Sequence, residues 1–185
     1  MAATIPTNGI VLNSGLNVAD GDVTLASGHG INFAADANAT NMSAELFDDY
    51  EEGTWTGVYN SAAGDMTMGS NTTGRYAKVG RLVYVCGYFT AAANNNANTS
   101  QTLRLSGLPF AVASGNQSYA AGAVGYYTGL ATSTGGVPVW YAAIGTSLLV
   151  FEQSGINTSD VQGLTVSNLS EDGSMMITAS YYTTD

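Results

Sequence analysis

The sequence predicts an all-β protein: a jelly-roll-like β-sandwich head that follows a short N-terminal β-repeat shaft or anchor. Short runs of β-branched and aromatic residues alternate with Gly, Asn and Asp along the chain, as is typical of strands and turns. Only 10% of the 185 residues are charged, whereas ordinary soluble domains have about 25%. The polarity rests on Asn, Ser, Thr and Gly, which indicates an extracellular or assembled surface.

Residues 1–45 are predicted to form the shaft or anchor. Short units that begin at Gly9, Gly15, Gly21 and Gly30 each carry two alternating apolar residues. Such short strands have one apolar face and no partner layer, so they would gain stability by winding against copies in other chains. The candidate interface residues are Ile10, Leu12, Leu16, Val18, Val23, Leu25, Ile31 and Phe33. An ordinary meander packed on the main domain is the alternative.

An acidic elbow is predicted over residues 46–54, in the stretch LFDDYEEGTWTGVY, with Trp55 as the first core residue of the head. Its acids are Asp48, Asp49, Glu51 and Glu52. Acids this close in sequence splay to both sides of a strand or turn, whereas a glycosidase pair faces across a groove, usually from different elements. They form only a weak calcium candidate, because the Gly-punctuated Asp-x-Asp spacing of a calcium loop is missing. We expect a solvated hinge.

The head is predicted over residues 55–185 as about eight strands, spaced as in a sandwich or jelly roll. RYAKV and RLVYVCGYFT flank Gly80 and predict a hairpin. Both faces of 82–89 are apolar, which predicts a central strand buried on both sides. AGAVGYYTGL is expected to be one strand. In SMMITASYY, alternate residues should face the core.

Composition also limits the function. The net charge of −10 disfavours nucleic-acid binding. No secretory signal and no apolar run near the ~18 residues of a membrane helix are visible, so we expect assembly in the host cytoplasm without membrane insertion. Cys86 is the only cysteine and His29 the only histidine, and no G-x-S-x-G occurs. We therefore expect neither an enzyme nor a cofactor.

Three blocks of the chain resemble a module of tailed-phage fibre and other virion structural proteins. They are LFDDYEEGTWTGVY, GRYAKVGRLVYVCGYFT and LRLSGLPF, and they lie between residues 46 and 110. The chain departs from the usual pattern at Phe47, Gly57 and Ala77. The resemblance implies a homotrimeric head on a virion fibre, attached to other virion proteins through its N-terminal region.

Two functions follow from this resemblance. The chain could be a tail fibre or receptor-binding protein that contacts the host surface, or a capsid decoration protein or head fibre that stabilises or projects from the shell. The shortness of the chain favours decoration, while the resemblance favours the fibre. A depolymerase is a third class, without support in the sequence.

Receptor contacts are expected in three uncharged loops, 91–101, 113–119 and 132–138, which should together form the outer tip. Loops on a rigid scaffold commonly carry binding. Amides and hydroxyls can bond sugar hydroxyls, and a ring can stack on a sugar, so the expected ligand is a neutral host glycan. The candidate residues are Asn94, Asn95, Asn96, Asn116, Tyr119, Trp140 and Tyr141. Simple solvated turns are the alternative.

Overall fold

The chain divides into two compact units, Met1–Leu46 and Phe47–Asp185. The computed structural model describes residues 16, 18–19, 22–26, 29–32, 46–47, 49–95, 99–155 and 160–184. The first unit ends one residue after the predicted end of the shaft at residue 45. Within the described ranges, no helix is long and apolar enough to cross a membrane.

The first unit shows little regular structure in its described residues. A two-stranded sheet pairs β1 (Ile31–Asn32) with β2 (Leu46–Phe47), and the other described positions before Leu46 lie outside strands. The predicted interface residues described there, Leu16, Val18, Val23, Leu25 and Ile31, have exposed fractions between 43% and 66%. Ile10, Leu12 and Phe33 lie outside the described residues. The intertwined shaft stays a prediction.

The described residues of the second unit form strands, connecting loops and two single-turn 3-10 helices, which confirms the all-β class. Its strands are β3 (Tyr50–Thr56), β4 (Val58–Ser61), β5 (Gly64–Asp65), β6 (Thr67–Met68), β7 (Thr73–Val79), β8 (Leu82–Ala93), β9 (Arg104–Ser106), β10 (Ala120–Ala123), β11 (Tyr126–Leu130), β12 (Val137–Ala142), β13 (Leu148–Ser154), β14 (Gln162–Gly163) and β15 (Leu169–Tyr182). The 3-10 helices are Asn116–Ser118 and Val166–Asn168.

The strands form two antiparallel sheets. Sheet I has the order β10-β12-β13-β9-β4-β5, with β14 paired to β13. Sheet II has the order β11-β15-β8-β7-β3, with β6 paired to β8. The inner faces share one apolar core, and the Tyr59 hydroxyl of sheet I donates a hydrogen bond to the Phe89 carbonyl of sheet II at 3.1 Å. The sandwich is therefore confirmed, while its jelly-roll connectivity stays a prediction.

Two of the short connections between the sheets contain a glycine. It leaves β3 of sheet II and enters β4 of sheet I at Gly57, which is buried. It leaves β10 of sheet I and enters β11 of sheet II at Val124–Gly125. The expectation of one strand over AGAVGYYTGL was therefore wrong, because the segment turns at Gly125 and supplies an outermost strand to each sheet. The predicted elbow also ends early, since Tyr50–Thr56 pairs with β7.

In the two longest strands, β15 and β8, the observed burial of alternate residues can be compared with the burial expected from the sequence. In β15, Met175, Ile177, Ala179 and Tyr181 are buried while their neighbours face outwards, as expected. The hairpin around Gly80 is confirmed by β7 and β8, and β8 is an interior strand. Burial of both faces of 82–89 is not found, because Leu82 and Tyr84 are exposed opposite the buried Val83 and Val85. Among the described residues of the head, only one face of sheet II packs on a second layer.

Aromatic rings that lie over glycines of neighbouring strands fill the core. The Trp55 and Phe89 rings pack at a centroid distance of 4.9 Å, and Trp55 is paired across the ladder with Gly74. A Cβ atom on Gly57 would lie 2.6 Å from the Phe89 ring, and one on Gly87 would lie 2.5 Å from it. The rings therefore occupy the space that a side chain at these glycines would require.

We expect Gly74→Ala to destabilise the head. The new Cβ would overlap the Trp55 indole and lie 2.5 Å from the Cys86 carbonyl oxygen, and the backbone can retreat only by distorting the ladder. Overpacking of this kind costs about 1–3 kcal/mol. Gly163→Ala is the matched control, because this strand glycine has open space around its Cβ position. Denaturant unfolding measures both, and equal stability of the two variants would contradict this packing.

Two buried tyrosines tie the core to the backbone. Tyr181 donates its hydroxyl proton to the Phe110 carbonyl at 2.9 Å, and Tyr59 donates to Phe89. Burial disfavours the charged phenolate and raises the pKa of Tyr181 from 10.0 to about 12, although the hydrogen bond that the Phe110 backbone N–H donates to the Tyr181 oxygen at 3.4 Å lowers it. Burial raises the pKa of Tyr59 as well.

These shifts predict loss of stability at high pH. The unfolded chain releases the Tyr181 proton near pH 10, whereas the folded chain retains it up to about pH 12, so the stabilisation is complete below pH 10 and falls between these values. For two pKa units the fall is on the order of 2–3 kcal/mol. Tyr181→Phe should flatten the profile of unfolding free energy against pH, and Tyr119→Phe, an exposed control, should leave its slope unchanged. Identical slopes in all three proteins would refute the linkage.

Candidate functional site

The loops of the sandwich are divided between two ends. The proximal end is defined here by the start of β3 and the turn 80–81, since Tyr50 pairs with Val79 and Val79 with Leu82. The distal end is defined by the end of β8 at Ala93 and the start of β15. The described residues 94–95 and 99–101 and the loop 131–136 lie at the distal end. Residues 113–119 lie at the proximal end, where Ala113 donates to the Tyr182 carbonyl at 2.7 Å.

The predicted single tip of three loops is therefore not formed. β10 runs from Ala120, opposite Ala142, towards Ala123, opposite Val139, and β12 runs in the reverse direction from the distal loop 131–136. The segment before β10 consequently lies at the end opposite to the segment before β12. Asn116 and Tyr119 are proximal, whereas Asn94 and Asn95 are distal.

Trp140 is not available as a stacking surface in the folded chain. It is only 4% exposed, because the alternate residues of β12, Pro138, Trp140 and Ala142, face the core. A Cβ on Gly122 would lie 2.6 Å from its ring. Its placement as a glycan contact was wrong, since burial in an interior strand, which the sequence does not reveal, removes the ring from solvent.

The other proximal candidates are more accessible. Asn116 is exposed in a 3-10 helix, and Tyr119 is 57% exposed. Tyr141 is half-buried on the outer face of sheet I, where partial burial and then the charge of Glu152 raise the pKa of its hydroxyl and Arg104 opposes the rise. These residues can donate and accept hydrogen bonds, but Asn116 and Tyr119 lie at the end opposite to the distal loops.

At the distal end, backbone and side-chain hydrogen bonds fix the loops. The Asn95 amide nitrogen donates to the Thr67 hydroxyl at 2.7 Å, and the Thr67 backbone donates to the Asn95 side chain at 3.3 Å. Ser133 donates from its backbone to the Gln153 side chain at 2.7 Å. Asn94 is half-buried, and Asn96 lies outside the described residues. Hydrogen bonds to neighbouring strands therefore hold the described residues of the distal loops in place.

A shallow groove opens beside these loops. Its volume is about 390 Å³, and its lining is neutral: Gly129, Leu130, Ala131, Ser167, Asn168 and Ser170. The register of β11 and β15 shifts between Thr128 and Leu130, and Asp172 in the same region adopts a φ of 60°, which is uncommon for a residue other than glycine. Beside this β-bulge, the Ser170 side chain of β15 is exposed next to apolar residues of the groove.

The described acids of the predicted elbow contact different partners and do not converge on one site. Glu51 and Glu52 are consecutive on β3 and therefore point to opposite faces of the sheet, and both are exposed. The Tyr76 hydroxyl donates to Glu51 at 3.4 Å, and the Tyr50 hydroxyl donates to Glu52. Asp48 lies outside the described residues. Among the residues that the structure describes, no three acidic, His or Cys side chains are placed to hold a metal, and the calcium site stays a prediction.

Asp49 has a role that the sequence did not indicate: it forms an ion pair with Lys78. Lys78 is only 3% exposed, and its ammonium group also lies 5.3 Å from the centroid of the Phe110 ring. A buried ammonium group is costly without a counter-ion. In the sequence, Asp49 and Lys78 stand in two of the blocks that carry the resemblance, but nothing in either block indicates that Lys78 points inwards.

No family model matches the chain, and no curated protein matches it. Among solved structures, the fold is similar to that of the Dettilon tailspike protein (gp208), with a TM-score of 0.57 and 13% sequence identity. The match covers 72% of this chain and 24% of that chain, so this chain spans about a quarter of the length of the tailspike chain. At this identity the likeness establishes a shared β-rich fold.

We expect Asp49→Asn to destabilise the head because it leaves the Lys78 ammonium group buried without its counter-ion. Breaking a fully buried pair costs about 3–5 kcal/mol. Since the Asp49 side chain is 44% exposed, water can partly replace it, and we expect about 1–3 kcal/mol. Glu51→Gln is the matched control and should change the unfolding free energy by less than about 0.5 kcal/mol. Adding Lys78→Met to Asp49→Asn should recover stability, and equal losses for Asp49→Asn and Glu51→Gln would contradict the pair.

Proposed function

We propose that this chain is a structural protein of a phage virion, a homotrimeric tail fibre or receptor-binding protein whose distal end contacts the host surface. The observation that carries the proposal is the fold shared with part of a phage tailspike. The three sequence blocks between residues 46 and 110 support it independently, because they resemble a virion fibre module. In this proposal the first unit joins the head to other virion proteins.

The proposed receptor surface is the distal groove and the loops around it. Ser167 and Ser170 are exposed, Asn168 is half-buried, and Leu130 and Ala131 supply apolar surface beside them. Neutral amides and hydroxyls can bond sugar hydroxyls without the desolvation cost of a buried charge. A shallow neutral site gives weak individual binding, which three copies on one trimer would strengthen by avidity. The proposed ligand is a neutral surface glycan.

The alternative is a capsid decoration protein or head fibre. The feature that favours it is the distal surface itself, whose loops are hydrogen-bonded to neighbouring strands and whose groove is shallow. A rigid knob of this kind could stabilise or project from a shell without binding any receptor. Neither function assigns the chain a catalytic residue or a cofactor.

Filling the groove tests the receptor role. Ala131→Trp places a ring in the groove at an exposed position, and Ala121→Trp places the same ring at an exposed position of β10 on the outer face of sheet I. We expect virions carrying Ala131→Trp to adsorb to host cells more slowly by a factor on the order of ten or more, because each trimer loses its multivalent contact. Virions with Ala121→Trp should adsorb normally.

Immunogold labelling of intact particles decides between the two positions. Label at the tail supports the fibre, and label over the capsid surface overturns it in favour of the decoration protein. Unchanged adsorption of Ala131→Trp virions, with the variant incorporated at wild-type level, would exclude the groove as the receptor site.

A further inference from the structure

The outer face of sheet II is unusually apolar for a surface that a single chain leaves to solvent. Seven large side chains on this face are between 41% and 58% exposed: Tyr50, Val79, Leu82, Tyr84, Tyr126, Met176 and Tyr182. From Tyr50 onwards, only four other described large hydrophobic residues are exposed to a similar degree. We call these seven residues the apolar face.

Strand register makes the apolar face continuous. One row crosses four neighbouring strands at the proximal end: Tyr50 of β3 pairs with Val79 of β7, Val79 pairs with Leu82 of β8, and Leu82 pairs with Tyr182 of β15. Further along the sheet, Tyr126 and Tyr88 are each paired with Met176, and the Tyr88 and Tyr126 rings are 6.3 Å apart. Tyr84 and Cys86 lie on β8 between the two rows.

The outer face of sheet I differs in composition. It carries polar and charged residues in register across its central strands, and the apolar residues Val58, Leu148 and Val150 in the same rows are half-buried or buried. The polar and charged residues are Asn60, Asp65, Arg104, Ser106, Glu152 and Ser154. Among the described strands of sheet I, Val137 is the one exposed large hydrophobic residue. The same sandwich thus presents one hydrated outer face and one apolar face, which indicates that the second is covered.

We propose that the apolar face is the contact between copies of this chain, with a second copy as its occupant. The proposal deepens the proposed trimer, on which it rests, by assigning its interface to the head. The exposed surface of the seven side chains is on the order of 700 Å², close to the ~800 Å² that each partner contributes to a stable protein interface. The face is therefore large enough to support a stable contact between copies.

The charges on the apolar face also fit a second copy. Glu52 and Arg75 are the charged residues on this face of the paired strands β3, β7 and β8, one of each sign, although the whole chain has a net charge of −10. Arg75 is exposed and forms no hydrogen bond or ion pair with another described residue. Both residues line a small surface groove with Gly53, Thr54 and Tyr76. Because the cation and the carboxylate stand at different positions of the face, Arg75 of one copy can bind Glu52 of the next copy around a threefold axis.

The first test replaces Tyr84 in the middle of the apolar face. Tyr84→Glu adds a charge at an exposed position and should not disturb the core, and Val137→Glu does the same on the outer face of sheet I as the matched control. By light scattering, we expect three chains in the wild type and in Val137→Glu but one chain in Tyr84→Glu. The Cys86 thiol, on the apolar face, should react with a thiol reagent in Tyr84→Glu at least about tenfold faster than in the wild type, since burial at an interface blocks access.

Charge exchange is the second test. Arg75→Glu and Glu52→Arg should each weaken the trimer, because each leaves two like charges facing across the contact, and the double variant should restore it. A wild-type trimer that persists in Tyr84→Glu with equally reactive Cys86 would overturn the apolar face as the interface and leave the proposed trimer intact. A wild-type monomer would overturn both. A double variant no better assembled than the single variants would overturn the ion pair alone.

Discussion

The sandwich depends on aromatic rings that occupy the space left by glycines on neighbouring strands. Phe89 lies against Gly57, the point where the chain changes sheets, and against Gly87 in its own strand. Trp55 covers Gly74 in the same way. Its indole nitrogen is buried without a hydrogen-bond partner in the described part of the chain, so packing holds the ring. In the block GTWTG, Gly57 leaves room for the Phe89 ring, and Trp55 occupies the space beside Gly74. The spacing of rings and glycines in the sequence therefore reflects a steric constraint of the fold.

Local sequence patterns predicted what depends on local physics. Alternation along β15 separates Met175 from Met176 because successive side chains of a strand point to opposite faces. The hairpin at Gly80 followed from a glycine between two apolar runs, and that glycine has a φ of 53°. Trp55 was correctly predicted as the first core residue, since it is the first buried residue in the described part of the head.

Features that depend on which strands become neighbours could not be predicted. Trp140 and Tyr141 are adjacent and similar in sequence, yet one fills the core and the other faces outwards, because the register of β12 decides between them. The position of Tyr119 at the proximal end follows from the direction of β10, which no local pattern encodes. The Asp49–Lys78 pair likewise joins residues 29 positions apart. Long-range pairing therefore accounts for most of the revision of the candidate site.

The placement of the basic residues has a consequence for proteolysis. A trypsin-like protease cuts only after Lys or Arg, and it requires several residues around the bond in an extended, unpaired conformation. All four basic residues lie between 75 and 104: Arg75 and Lys78 belong to the paired strand β7, Arg104 belongs to interior strand β9, and Arg81 donates to the Thr183 carbonyl at 3.0 Å. Residues 1–74 offer no such cleavage site at all. The folded chain is therefore expected to resist trypsin, and its cleavage by trypsin reports the opening of the sandwich itself.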